Sequence, residues 1–118
     1  MEKELVPFRK KGILIVGSGN VVHNLRMVAW DRLNEIGFGY DWAIEANEKM
    51  KECILNRNHD SLIKYESQGK AFRFGIPTPE HYLPMLYSIA LQEENENAVL
   101  FNDKPVGGSL TMTSIKIG

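Results

Sequence analysis

Apolar positions fall into distinct regimes along the chain. Residues 13–16, Ile-Leu-Ile-Val, form an unbroken apolar run between Gly12 and the turn residues Gly17, Ser18, Gly19 and Asn20. A short continuous run bounded by turn residues predicts a strand buried on both faces, as inside an α/β sheet. The turn after such a strand is where α/β proteins collect ligand-binding groups. Residues 1–12 read as the tail of a helix that precedes this strand. Over 42–57 the period changes, and Trp42, Ala43, Ala46, Met50, Cys53 and Ile54 recur at three and four residues. That spacing predicts an amphipathic helix with its lysines and glutamates outside, and Asp41 is placed to cap it. A second short helix is expected over 61–67, ending near Gly69, and the stretch AFRFGIP after it is expected to run extended.

Thr78 and Pro79 suit the cap and first position of a further helix, along which Leu83, Leu86, Tyr87, Ala90 and Leu91 form a stripe. Pro84 removes one backbone donor there, so the first turn is expected to be distinct or kinked. The stretches AVLFND and GGSLTMTSIKIG read as two strands around a DKPVGG turn. The second alternates Leu110, Met112 and Ser114 against Thr111, Thr113 and Ile115, a half-buried strand pattern. The predicted fold class is α/β, a mixed sheet with flanking helices and few strands to close it.

Composition narrows the reading. At 118 residues the chain is expected to form a single domain, 1–118, long enough to bury a core. Its 43% apolar and 25% charged residues argue against disorder. Fourteen basic and fifteen acidic residues leave a net charge of -1 with no basic stripe, so no nucleic-acid partner is expected. The longest clean apolar run is far too short to cross a bilayer, and the charged first residues do not resemble a signal peptide, so no membrane partner and a cytoplasmic location are expected. The single cysteine, Cys53, falls in the helical pattern and reads as packing.

The GSGNVV stretch invites a phosphate-loop reading, yet Val22 stands where the dinucleotide fingerprint needs its third glycine, and no Gly-Lys-Ser/Thr follows. Of the three histidines, His59 lies among polar residues after a helix and reads as a solvated or capping residue. His23 follows the predicted strand, and His81 sits in the expected first turn of a helix. Neutral imidazole can ligate a metal or exchange protons near neutral pH. It can equally serve as a satisfied polar group beside a core. Two histidines do not close a metal site, which takes three or four protein ligands. Glu80 adjoins His81 but points about 100° away on a helix, and it reads as first-turn charge favourable to the dipole.

The motifs GSGNVVHNLR, DWA at 41–43, PTPEHYLPMLY at 77–87 and the terminal GGSLTMTSIKIG occur in this order. Together they resemble the C-terminal half of the class III extradiol ring-cleaving dioxygenases, nearest to the DOPA-dioxygenase branch. The resemblance implies a partial version of that fold and a non-haem Fe(II) or Zn(II) enzyme that opens a catechol-type ring with dioxygen. It makes His81 similar to a metal ligand. His23 resembles the acid/base that handles the catechol proton, with a secondary place near or on the metal. Two further metal histidines belong to the family's N-terminal half, so this chain is expected to be an incomplete catalyst alone. The alternative expectation is a non-enzymatic fragment or subunit that self-associates or pairs with a separate N-terminal half. A small metal-binding module of His23, His81 and Glu80 is the third reading.

Overall fold

The computed structural model describes residues 2–118, and its centre is the long helix α2, Asp41–Leu55. Ala43, Ala46, Asn47, Met50 and Ile54 recur along one side of α2 and are all buried, as the sequence period predicts. The helix opens without a side-chain cap. Tyr40 holds the cap position and Asp41 is the first helical residue, where its carboxylate complements the helix dipole.

Two short helices pack directly against α2. The expected helix over 61–67 divides into α3, His59–Ile63, and a separate 3₁₀ turn at Tyr65–Ser67. Asn58 caps α3 by accepting from the Ser61 N–H at 3.3 Å, which explains why the helix starts two residues early. His59 opens α3, half-buried, instead of capping it. The stretch expected to run extended is helix α4, Lys70–Gly75. Its buried Ala71, Phe72 and Gly75 lie against α2, and a Cβ built on Gly75 would meet Ala46 Cβ and Val22 Cγ1 at 3.4 Å. Tertiary contact thus outweighs the extended propensity of the phenylalanines. The helix stops before Pro77, which disfavours helical geometry at Ile76.

Helix α5 spans Leu83–Ala90, later than Thr78 and Pro79 suggest. The N–H groups of Tyr82 and Leu83 both donate to the Pro79 carbonyl, at 2.9 and 2.8 Å, so 79–82 close as a turn. Pro84 then falls in the first turn of α5, where its missing N–H would have no helical partner.

The strands form two small antiparallel sheets. β1, Ala98–Phe101, pairs with β4, Ser114–Ile117, while β2, Pro105–Val106, pairs with β3, Leu110–Thr111. The terminal strand expected from the sequence is therefore split between two partners. The fold remains a mixed α and β arrangement, with β1, β4 and the short helices covering the core around α2.

The largest departure concerns residues 13–16. They form no strand, and Ile13, Leu14 and Val16 are 48%, 84% and 76% exposed. Apolar runs of this kind are buried only when flanking strands and covering helices are present, and the described residues supply no pairing strand there. Helix α1, Glu2–Lys10, precedes the run and is tied to the turn before β1 by the two-pronged Arg9–Glu96 pair at 2.5 and 2.9 Å.

One polar cluster fastens the β2–β3 region to α2. Asp103 accepts from the Asn47 amide at 2.8 Å and from the Lys51 ammonium, and the Thr113 hydroxyl lies 2.8 Å from it. Burial pushes the Asp103 carboxyl up, but its bonds to Lys51, Asn47 and Thr113 pull it further down, below the usual carboxylate value. A depressed carboxyl contributes stability that is complete above the unfolded value of about 3.9 and is lost as the pH falls through the folded one. Asp103→Asn is therefore expected to cost about 1–2 kcal/mol at pH 7. The gap to the wild type should narrow in urea titrations repeated below that unfolded value. A gap that is constant across pH would contradict the assignment.

Candidate functional site

The segment after the exposed run turns inward at Val21 and Val22, which are 4% and 0% exposed. Their burial under α4 and α5 carries His23 and Asn24 into the interior, where backbone bonds hold them. The His23 N–H donates to the Gly75 carbonyl at 2.8 Å, the Asn24 N–H to the Ser109 carbonyl at 3.1 Å, and the Thr111 N–H to the Val22 carbonyl at 3.1 Å. His23 and Leu110 form an isolated antiparallel bridge. The extended segment that meets β structure is thus 22–24 and not 13–16.

His81 arrives from the other side on the turn 77–82. Tyr82 anchors that turn, with its ring fully buried and its hydroxyl donating to the Leu62 carbonyl at 2.9 Å. Burial pushes the Tyr82 phenol far up, so it stays protonated and donates. His81 itself is exposed. The His23 and His81 rings, distant in sequence, come to a centroid separation of 5.1 Å with 37° between their planes.

The two rings have different surroundings. His23 is 3% exposed, with Nδ1 3.0 Å from the Asn20 carbonyl and Nε2 2.9 Å from the Thr78 carbonyl. Burial lowers its pKa most, against the opposing pull of the Thr78 carbonyl. A neutral imidazole donates from one nitrogen only, so a single carbonyl accepts at a time. His81 lines a cleft of about 270 Å³ with Val16, Gly17, Gly19, Asn20, Met85 and Phe101 among its walls, and His23 does not reach that wall.

Glu80 does not join the pair. Its carboxylate takes the Thr78 hydroxyl at 2.6 Å, a bond that, with its own N–H, holds its pKa below the usual range. His59 belongs to α3, outside this cleft. Cys53 lines a separate cleft of about 240 Å³ and packs against the core, and burial pushes its thiol up, away from the thiolate.

The residues present do not by themselves fit a resident metal. His81 offers one accessible imidazole, His23 would have to release a carbonyl to offer another, and Glu80 is engaged by Thr78. Among the described residues no group of three histidine, cysteine or carboxylate side chains is placed to hold an ion.

Sequence reasoning reached His23 and His81 and missed what joins them. Gly19 has no room for a side chain, because a Cβ there would stand 2.2 Å from the His81 carbonyl oxygen. Asn20, next to it, donates its N–H to that same oxygen at 2.9 Å. The available signal was the glycine pair in GSGN, whose use is close backbone approach and not phosphate binding. Gly19→Ala is expected to cost about 1–3 kcal/mol by forcing the 77–82 turn outward. Gly75→Ala, where the new methyl group would meet ordinary contacts, should stay within about 1 kcal/mol of wild type. Urea midpoints of the two variants check the contrast, and equal losses would refute it.

No family model matches the chain. The Escherichia coli (strain K12) protein named 4,5-DOPA dioxygenase extradiol is 36% identical over 122 aligned positions, covering 100% of this chain and 43% of that protein. Proteins of the same name from Beta vulgaris and Portulaca grandiflora are 26% and 24% identical, covering 95% and 97% of this chain and 40% and 41% of their own lengths. A crystal structure of an uncharacterized Escherichia coli K12 protein superposes with a TM-score of 0.84 at 33% identity, over 99% of this chain and 48% of that one. The chain spans less than half the length of the curated relatives it matches. It is thus related, over its whole length, to part of the extradiol dioxygenases of the DOPA type, as a C-terminal half of such an enzyme would be.

Proposed function

We propose that this chain carries part of a ring-cleaving site for catechol-type substrates and dioxygen. In this reading His23 takes and returns a proton. His81 is one donor to a metal, Fe(II) or Zn(II), whose remaining ligands lie outside the described residues, and His23 is at most a secondary donor. The observation that carries the reading is the 5.1 Å approach of the two imidazoles in a chain similar throughout to proteins named for extradiol DOPA cleavage. The division of roles follows the surroundings. A buried imidazole whose pKa lies below its ordinary value is neutral at pH 7 and able to accept a proton, while an exposed imidazole on a cleft wall can reach an ion.

A second reading, in which the chain associates with itself or with a separate polypeptide equivalent to the family's N-terminal half, draws on the exposed Ile13, Leu14 and Val16. Apolar surface of this kind favours association.

The test is a chimera in which this chain replaces the matching segment of the Escherichia coli relative, loaded with Fe(II) and assayed with DOPA for dioxygen uptake. We expect turnover by the chimera, none by the isolated chain, and a loss of about 100-fold or more in the chimera carrying His23→Ala. A folded, iron-loaded chimera that consumes no dioxygen would overturn the proposal. Turnover by the isolated chain would overturn its incompleteness.

A further inference from the structure

We propose that Asn20 is the positioning residue of the His23–His81 pair, tying the loop that carries His23 and the turn that carries His81 to a β strand. This role rests on the reading of the two histidines as one site, and it deepens that reading. Three bonds on three elements support it. The Asn20 N–H donates to the His81 carbonyl at 2.9 Å, the Asn20 carbonyl faces His23 Nδ1 at 3.0 Å, and the Asn20 side-chain amide donates to the Thr111 carbonyl in β3 at 2.8 Å.

The chemistry of the side chain is specific. Anchoring to a backbone carbonyl needs a donor, which an ionised aspartate at this position would lack, and alanine in place of asparagine would remove the tie to β3 while leaving the main-chain bonds. Gly19 makes the arrangement possible, since any side chain there would separate the loop from the turn. The consequence reaches His23 through geometry. Its ring lies between the Asn20 and Thr78 carbonyls, which compete for one imidazole proton. The relative placement of the two carbonyls therefore decides which nitrogen carries the proton and which is the base. The anchor to β3 fixes the Asn20 side of that competition.

The test reads ring nitrogens and amides of the whole chain, without turnover. In ¹⁵N-histidine-labelled protein at neutral pH, Asn20→Ala is expected to move the His23 ring nitrogens towards tautomer-averaged values while the His59 signals stay in place. Hydrogen exchange of the position-20 backbone amide should quicken about fivefold, which is what one neutral hydrogen bond is worth. The Met50 amide in α2 should keep its wild-type rate. Unchanged His23 nitrogens would overturn the inference. So would a Met50 amide that quickens by the same factor as position 20, the mark of a merely structural role. A second measurement needs no variant: a coupling across the hydrogen bond between the Asn20 side-chain nitrogen and the Thr111 carbonyl carbon is expected, and its absence would also overturn the inference. Failure of the chimera alone removes the catalytic reading and leaves the Asn20 geometry. Unmoved nitrogens with an active chimera remove the role of Asn20 and leave the catalysis.

Discussion

The arrangement depends on one close approach, the contact of the 17–20 loop with the 77–82 turn at the carbonyl of His81. Gly19 lies so near that oxygen that no side chain fits, and Asn20 turns the contact into a hydrogen bond. The bond does not hold the two segments together by itself, since a neutral hydrogen bond contributes only about 1 kcal/mol net. Packing carries more. Val22 and Tyr82, the buried residues that follow the loop and end the turn, are both fully enclosed, and burying a side chain of that size contributes about 1.5–3 kcal/mol. Apolar burial therefore brings the segments together, and the polar contacts set their register.

From that register follows the asymmetry of the two histidines. His23 sits one residue past Val22 and inherits its burial, so each ring nitrogen meets a backbone carbonyl instead of water. His81 sits one residue before Tyr82, on the outer side of the turn, and faces the cleft. The same core that fixes both positions thus shelters one imidazole and presents the other. Two groups of one chemical type acquire different environments from their surroundings alone.

Legibility in the sequence followed the range of the interaction concerned. Helix α2 is read directly, because its buried positions repeat along one element. Helix α4 is misread as extended, because what makes it helical is contact with α2 and Val22, residues that no local pattern in AFRFGIP reveals. Residues 13–16 are misread in the opposite sense. An apolar run states a demand for burial, and the demand is met only if neighbouring strands exist. For the site, position in the chain already sets His23 and His81 apart from His59, while their roles come only with the motif resemblance. The part played by Asn20 was hidden because two of its three bonds are made by its main chain, which any residue possesses. Only the amide bond to Thr111 is written in its identity.

The exposed run and the site are not independent features. Val16 is 76% exposed, yet it also forms part of the cleft wall that His81 lines, together with Gly17, Gly19 and Asn20 immediately after it. Phe101, at the end of β1 and itself 54% exposed, lines the same cleft. Burial of the 13–16 backbone against any further strand would therefore act at the mouth of the same cleft. Removing water there strengthens every polar interaction inside. A chain that left its apolar run solvated would keep the histidines in position, through contacts that do not involve 13–16, while leaving His81 in an open groove. Positioning and enclosure thus reside in different parts of the molecule. The first is complete within this chain. The second is left open at the 13–16 run, whose Ile13, Leu14 and Val16 side chains face solvent.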